Sequence, residues 1–215
     1  MTRALSLPLT TLVLLVLTGQ AAPVRADVPS PSNSTTPTLV RLVGSSANAP
    51  DAPAGSFIVV VRGLTNDPKN GASVVVDFSQ CPDAAICADQ LDPSALVNCA
   101  AKYVRKFTNA VGEVSFTLLG GSTGPGLAAS TSPAVRIFGN GTLLRIATFA
   151  AFDLDGSGGV GANDLSVWLA DFGSGVDWAR SDYDGSGTVG ASDLSEWLAV
   201  FGAGTSTQSC TISCP

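Results

Sequence analysis

The chain has 215 residues, 45% hydrophobic and 13% charged, with 17 acidic residues against 11 basic ones and no histidine. The missing histidine excludes His-based catalytic triads and His-ligated zinc, and a net charge of −6 argues against a nucleic-acid partner. The length suits one moderate β-rich domain with a small appended module.

Residues 1–26 read as an export signal, with Arg3 at the start, an apolar run from Leu5 to Leu17 and small residues around Val24-Arg25-Ala26. The run is shorter than the ~20 residues of a spanning helix, so the mature chain is expected to be secreted, extracellular or at the cell surface, with no membrane span. Residues 27–38, rich in Pro, Ser and Thr, are expected to form a flexible linker.

From Leu39 onward, seven short β-rich runs are separated by turn residues: 39–43, 57–62, 72–78, 102–108, 113–119, 135–138 and 142–149. Asn140-Gly141 between the last two is a two-residue hairpin signal, which makes them adjacent and antiparallel. This spacing predicts a β-sandwich over 39–150. Asn70 to Val76 and Thr108 to Phe116 resemble segments of the immunoglobulin-like domains of bacterial surface proteins, and carboxypeptidase-regulatory-like domains share the same wording.

An insertion over 80–101 carries Cys81, Cys87 and Cys99, and Asp92-Pro93 heads one helical turn. Cys210 and Cys214 lie in the tail, 204–215. In an exported chain these five read as disulfide material; the tail pair has the spacing to close a short loop, no pair is chosen among the other three, and the odd count leaves one over.

Charge is unevenly stored. Between residues 27 and 150, eight acidic residues balance eight basic ones, whereas 151–202 holds nine acidic residues against Arg180 alone. That acidic stretch is a duplication. Asp153 to Gly173 and Asp182 to Gly202 align without a gap and agree at 16 of 21 positions, differing only at 154/183, 159/188, 163/192, 167/196 and 171/200.

Each copy fits a calcium loop, which draws oxygens from positions 1, 3, 5, 7, 9 and 12 and turns at Gly in position 6. The first copy offers Asp153, Asp155, Ser157, the Gly159 carbonyl and Asp164; the second offers Asp182, Asp184, Ser186, the Thr188 carbonyl and Asp193. Gly161 and Gly190 at position 9 have no side-chain oxygen, which leaves that vertex to water. Two calcium ions are expected. Val160 and Val189 at position 8 suit a short β-contact between the loops.

Helical spacing follows each loop: Leu165, Trp168, Leu169 and Phe172, then Leu194, Trp197, Leu198 and Phe201, with Gly173 and Gly202 as stops. The expected arrangement packs these two apolar faces against each other about an approximate two-fold axis.

A tandem of loop and helix with Asp at position 12 followed by Leu, and no helix before the first loop, resembles the dockerin module over residues 151–203. The resemblance implies a non-catalytic plug that binds a cohesin domain. The family's recognition pair corresponds here to Ala162-Asn163 and Ala191-Ser192. The expectation is a secreted, non-enzymatic protein with an Ig-like sandwich and a calcium-loaded docking module. The alternative is a structural or adhesive surface protein whose repeats only stabilise the fold. No catalytic residue is assigned.

Overall fold

Alternation of buried and outward side chains places strands where the apolar runs stand. The computed structural model describes residues 28–123, 134–202, 210, 213 and 214. The expected export signal lies outside the described residues, as does most of the tail.

The chain is mainly β. Strand β1 (Leu39–Val43) leads into the small β2 (Ser45–Ser46) and β3 (Ala49–Pro50) ribbon and a single helical turn, α1 (Ala52–Gly55). There follow β4 (Ser56–Val60), β5 (Ser73–Asp77), β6 (Ala84–Cys87), β7 (Leu96–Asn98), β8 (Tyr103–Phe107), β9 (Glu113–Ser122), β10 (Val135–Gly139) and β11 (Thr142–Ala151). Two 12-residue helices come next, α2 (Ala162–Gly173) and α3 (Ala191–Gly202), with a 3-10 turn at Ala179–Ser181 between them, and β12 (Ser213–Cys214) closes the chain. All seven expected strands form. The Asn140-Gly141 turn joins β10 to β11 with both residues at positive φ, 44° and 80°, and Gly139 opposite Thr142.

Among the described residues the seven expected strands do not divide into two separate sheets. Ten strands make one mixed sheet in the order β12-β6-β9-β1-β11-β10-β5-β8-β7, with β4 also on β9. The joint is β1, which pairs parallel with β11 through Leu39 to Leu42 and parallel with β9 through Leu42 and Val43. The sheet closes over its own core: Val59, Val114 and Phe116 from β4 and β9 share one buried cluster with Val74, Val76, Val104 and Ile137 from β5, β8 and β10.

Two expectations need correction. Residues 28–38 are fastened to the sheet instead of forming a loose linker: Thr35 and Val60 exchange two backbone hydrogen bonds of 2.9 Å, and Pro29 bridges Gly63. The reason is that β4 has one edge without a strand partner, and the segment satisfies its backbone groups. Asp92 does head the single turn expected of it, accepting from the Ser94 amide at 2.9 Å while Ala95 N donates to Asp92 O. The tail cysteines do not join each other. Cys87 bonds Cys210 and Cys99 bonds Cys214, because β12 lies antiparallel on β6 and carries the tail across the insertion. Cys81 is the odd one, free and buried, and burial pushes its thiol up to about 12.

The helices also bury a different face from the one expected. Leu169, Phe172, Leu198 and Phe201 are about half-exposed, while Val167, Trp168, Asp171, Trp197 and Val200 turn inward. Val167, Trp168, Trp197 and Val200 join Val43, Leu119, Ala150, Phe152 and Leu154 in a second core cluster, so the apolar side chains of both helices share a core with the end of the sheet. Tyr183 seals this joint: its ring stacks on Phe152 at 4.6 Å and its hydroxyl donates to the Ala151 carbonyl at 2.9 Å. Trp197 donates to the Phe152 carbonyl at 3.2 Å. The left-handed residue after α2 is Gly175, φ 68°, two positions beyond the expected stop.

A buried ion pair locks the segment between the helices. Arg180 makes two hydrogen bonds of 2.8 Å to the Asp171 carboxylate, which also accepts from the Ser181 hydroxyl at 2.6 Å. Both charged side chains are only 5% exposed. Removing one partner of such a pair leaves an uncompensated charge, at a cost of about 3–5 kcal/mol. Arg180→Met should therefore lower unfolding free energy by roughly that amount in a denaturant titration. The double variant Arg180→Met with Asp171→Val, which copies the Val200 found at the aligned position of the second repeat, should recover most of the loss. A harmless single variant would contradict the role given to the pair.

Candidate metal centre

Each acidic loop is built around the carboxylate that opens its helix. In the first, Asp164 Oδ1 accepts the Leu154 and Asp155 amides at 2.6 and 2.9 Å, and Oδ2 accepts the Gly161 amide at 2.6 Å. In the second, Asp193 Oδ1 accepts Tyr183 and Asp184 at 2.7 and 3.1 Å, and Oδ2 accepts Gly190 at 2.8 Å. One side chain thus caps the helix, satisfying donors that helix geometry leaves free, and ties down the start of the loop.

The position-1 carboxylates do the same for the middle of the loop. Asp153 accepts the Ser157 and Gly158 amides at 3.1 and 2.9 Å, and Asp182 accepts Ser186 and Gly187 at 3.0 and 2.8 Å. Gly158 and Gly187 stand at φ 88° and 86°, a conformation that glycine adopts without strain, at the turn expected of position 6.

Carboxylate oxygens of Asp153, Asp155 and Asp164 lie within 4.8 Å of one another, and so do those of Asp182, Asp184 and Asp193. The other expected ligands sit on the same turns: the Ser157 hydroxyl is 3.5 Å from the Gly159 carbonyl, and that of Ser186 is 3.1 Å from the Thr188 carbonyl. The donor set is all hard oxygen, which fits a hard divalent cation. Val160 and Val189 are partly buried against the second core cluster, and among the described residues no β-bridge joins the two loops.

Burial and hydrogen bonding pull the loop carboxyls in opposite directions. Burial pushes Asp164 and Asp182 above the ordinary carboxylate value. Burial also works on Asp155, but hydrogen bonds from Ser157 outweigh it and leave this carboxyl below that value. The Ser192 hydroxyl, 2.7 Å from Asp184, holds that exposed carboxyl down at about 2.

The four residues carried over from the dockerin resemblance, Ala162, Asn163, Ala191 and Ser192, are all exposed in the first turn of their helices. Ser192 is engaged with its own loop through Asp184. Sequence reasoning missed Asp171, although it differs between the copies, and gave Arg180 no role, although it is the one basic residue in that acidic stretch. It also missed Arg41, which pairs with Glu196 at 2.6 Å and donates to the Tyr183 carbonyl, joining β1 to the second repeat.

Comparison with protein-family models, with curated proteins and with solved structures finds no match. The two acidic clusters, able to hold a metal, therefore rest on this chain's own geometry.

The raised Asp164 predicts a pH dependence for the protein in chelator. A carboxyl whose value is higher folded than unfolded keeps its proton more tightly in the fold. The stability it contributes is present at low pH and lost as pH rises through the folded value. In chelator, the melting temperature should fall as pH rises above the ordinary carboxylate value, about 4, and more steeply for the wild type than for Asp164→Asn, which cannot ionise. Equal slopes would show that Asp164 is not the titrating group.

Proposed function

We propose that this is a secreted, non-catalytic protein that binds two calcium ions, one in each acidic loop, and uses the paired repeat as a dockerin-like module for a cohesin-type protein partner. The observation that carries the reading is the duplicated triad of converging carboxylates, each on a loop already shaped by its own backbone hydrogen bonds. Asp153, Asp155, Ser157, the Gly159 carbonyl and Asp164 would hold one ion, and their counterparts through Asp193 the other. A bound divalent cation neutralises the repulsion that burial intensifies.

Export is supported by the two disulfides, and no helix of the described residues is long and apolar enough to cross a membrane. Docking is supported by apolar side chains that both helices leave half-exposed at equivalent positions, Leu169 with Phe172 and Leu198 with Phe201. The β-rich region is then the carrier, Ig-like in the reading proposed here.

A second reading has its own observation. The repeats share a core cluster with the sheet, and two disulfides tie the tail back to the insertion, so in this reading the repeats only stabilise the fold of a surface or adhesive protein. The two readings agree on calcium and differ on a partner.

Thermal melts separate calcium from no calcium. At an ion concentration ~100 times the dissociation constant each site adds about 2.7 kcal/mol, so calcium should raise the midpoint by several degrees over chelator. Asp155→Ala with Asp184→Ala should abolish the rise. An unchanged midpoint in the wild type would remove the calcium reading.

For the partner, the probe is a purified cohesin domain in a binding titration, with calcium and with chelator. Binding should require calcium, survive replacement of Ala162-Asn163 or of Ala191-Ser192 by bulky charged residues, and disappear when both pairs are replaced. Calcium binding without cohesin binding would favour the structural reading.

A further inference from the structure

The side of β5, β8 and β10 that points away from the core carries aromatic rings and arginines. Alternation along β8 buries Val104 and Lys106 and turns Tyr103, Arg105 and Phe107 outward; along β10 it buries Ile137 and turns Arg136 and Phe138 outward. Tyr103, Phe107 and Phe138 belong to neither core cluster. Register sets these side chains in rows. Arg105 stands opposite Val75 on β5 and Val75 opposite Phe138 on β10, while Phe107 lies two residues further along β8, opposite Ser73. Phe107 and Phe138 are thus two strands apart, about 10 Å at the usual strand spacing.

The face continues to both margins. Leu96 on β7 pairs with Arg105, and Leu143 on β11 pairs with Phe138; with Phe107 these side chains are at least 40% exposed. An exposed patch of this kind marks a binding surface more often than a solvated one.

Charge narrows the class of occupant. The Arg105 guanidinium lies 5.5 Å from the centre of the Phe107 ring, and that of Arg136 lies 5.6 Å from the centre of Phe138. Asp77 neutralises Arg136 at 2.6 Å. Arg105 has no acidic partner among the described residues, and its Nε is covered without a hydrogen bond. A second copy of this face would bring two unneutralised guanidinium groups under one interface, and an apolar protein partner would strip one of water at a cost. A nucleic acid brings closely spaced phosphates to a chain of net charge −6 that offers them one free cation here. A polysaccharide meets the face differently: C–H faces of its sugars lie on the rings, its hydroxyls stay hydrated, and an occasional carboxylate reaches the guanidinium.

We propose that this sheet face binds an acidic polysaccharide whose carboxylates are widely spaced along the chain, with Phe107 and Phe138 as platforms for sugar rings and Arg105 as the partner of a carboxylate. The site is separate from the acidic loops and from the docking proposed for the repeats.

The test is calorimetric titration of the full chain with three probes: a hyaluronate oligosaccharide, which has a carboxylate on every second sugar, an uncharged cello-oligosaccharide, and poly-glutamate as an acidic peptide. Hyaluronate should bind, more weakly as salt is raised, and the other two should bind at least about tenfold less tightly. Arg105→Gln should lower the hyaluronate affinity about tenfold, the loss expected for one charge-assisted hydrogen bond. Phe138→Ser should lower it comparably without touching any charge. Phe107→Ser, at a side chain 52% exposed, should leave the melting midpoint nearly unchanged and still weaken binding, so the idea remains testable should Phe138→Ser disturb the fold.

Absence of hyaluronate binding would overturn the proposal, and so would binding that Arg105→Gln and Phe107→Ser both leave unchanged. Equal affinity for poly-glutamate would show that the face reads charge alone, and equal affinity for the cello-oligosaccharide that Arg105 reads none; either result overturns it as well.

Discussion

Asp164 and Asp193 are nearly unexposed, and each accepts three backbone amides from its own loop. The C-terminal region depends on that arrangement. A carboxylate is costly to bury, and hydrogen bonds to its charged form are what offset the cost. Here those bonds also fix the start of the loop and the first turn of the helix. The same side chain sets where the helix begins and brings two further carboxylates alongside. The geometry that makes the loop fold also concentrates negative charge, which is why the region's fold and its proposed affinity for cations are hard to separate.

The five positions at which the repeats differ acquire a meaning from the fold. Leu154 is simply buried, whereas Tyr183 reaches Ala151 and stacks on Phe152. Val167 faces the core, whereas Glu196 pairs with Arg41 on β1. Asp171 holds Arg180, whereas Val200 is apolar core. Asn163 stands where Ser192 restrains Asp184, and Gly159 where Thr188 shares hydrogen bonding with Ser186. Three of the five differences therefore fall where the two halves meet unlike surroundings. The two copies are nearly alike in sequence, but the sheet on which they sit offers them different surroundings. The buried Asp171–Arg180 pair and the Tyr183 hydroxyl give the two copies distinct places, a use of buried polar groups for register.

Much of this was legible in the sequence because the signals were local. The strands follow apolar runs, the β10–β11 turn follows from Asn140-Gly141, and the loop ligands follow from Asp spacing, all within a few residues of the features they determine. What was not legible was set by contacts distant in the chain. The disulfide partners of Cys87 and Cys99 are separated from them by 123 and 115 residues, and only the β12–β6 pairing chooses between them. The segment 28–38 has no apolar pattern of its own and is ordered by the edge of β4. Helix periodicity identified an apolar stripe on each repeat but not which flank of it turns inward. Trp168 and Trp197 lie in that stripe and are buried, while Leu169, Phe172, Leu198 and Phe201 lie beside them and are left half-exposed by the sheet's position.

That displaced stripe bears on how a partner and the fold can use the same helices. Had the two apolar faces closed on each other, the repeats would have formed a self-contained pair with little left to offer. Packing with Phe152, Leu154 and Tyr183 buries both tryptophans and leaves an equivalent apolar pair on each helix facing solvent. Trp168 stacks on Phe172 at 5.3 Å and Trp197 on Phe201 at 5.2 Å, so each exposed phenylalanine rests on a ring fixed in the core. An exposed aromatic held in this way loses little freedom on meeting a partner, which favours binding more than the same area on a mobile side chain would. Sharing a core with the sheet and presenting the proposed docking face are therefore compatible: the first holds rigid the rings from which the second would be made.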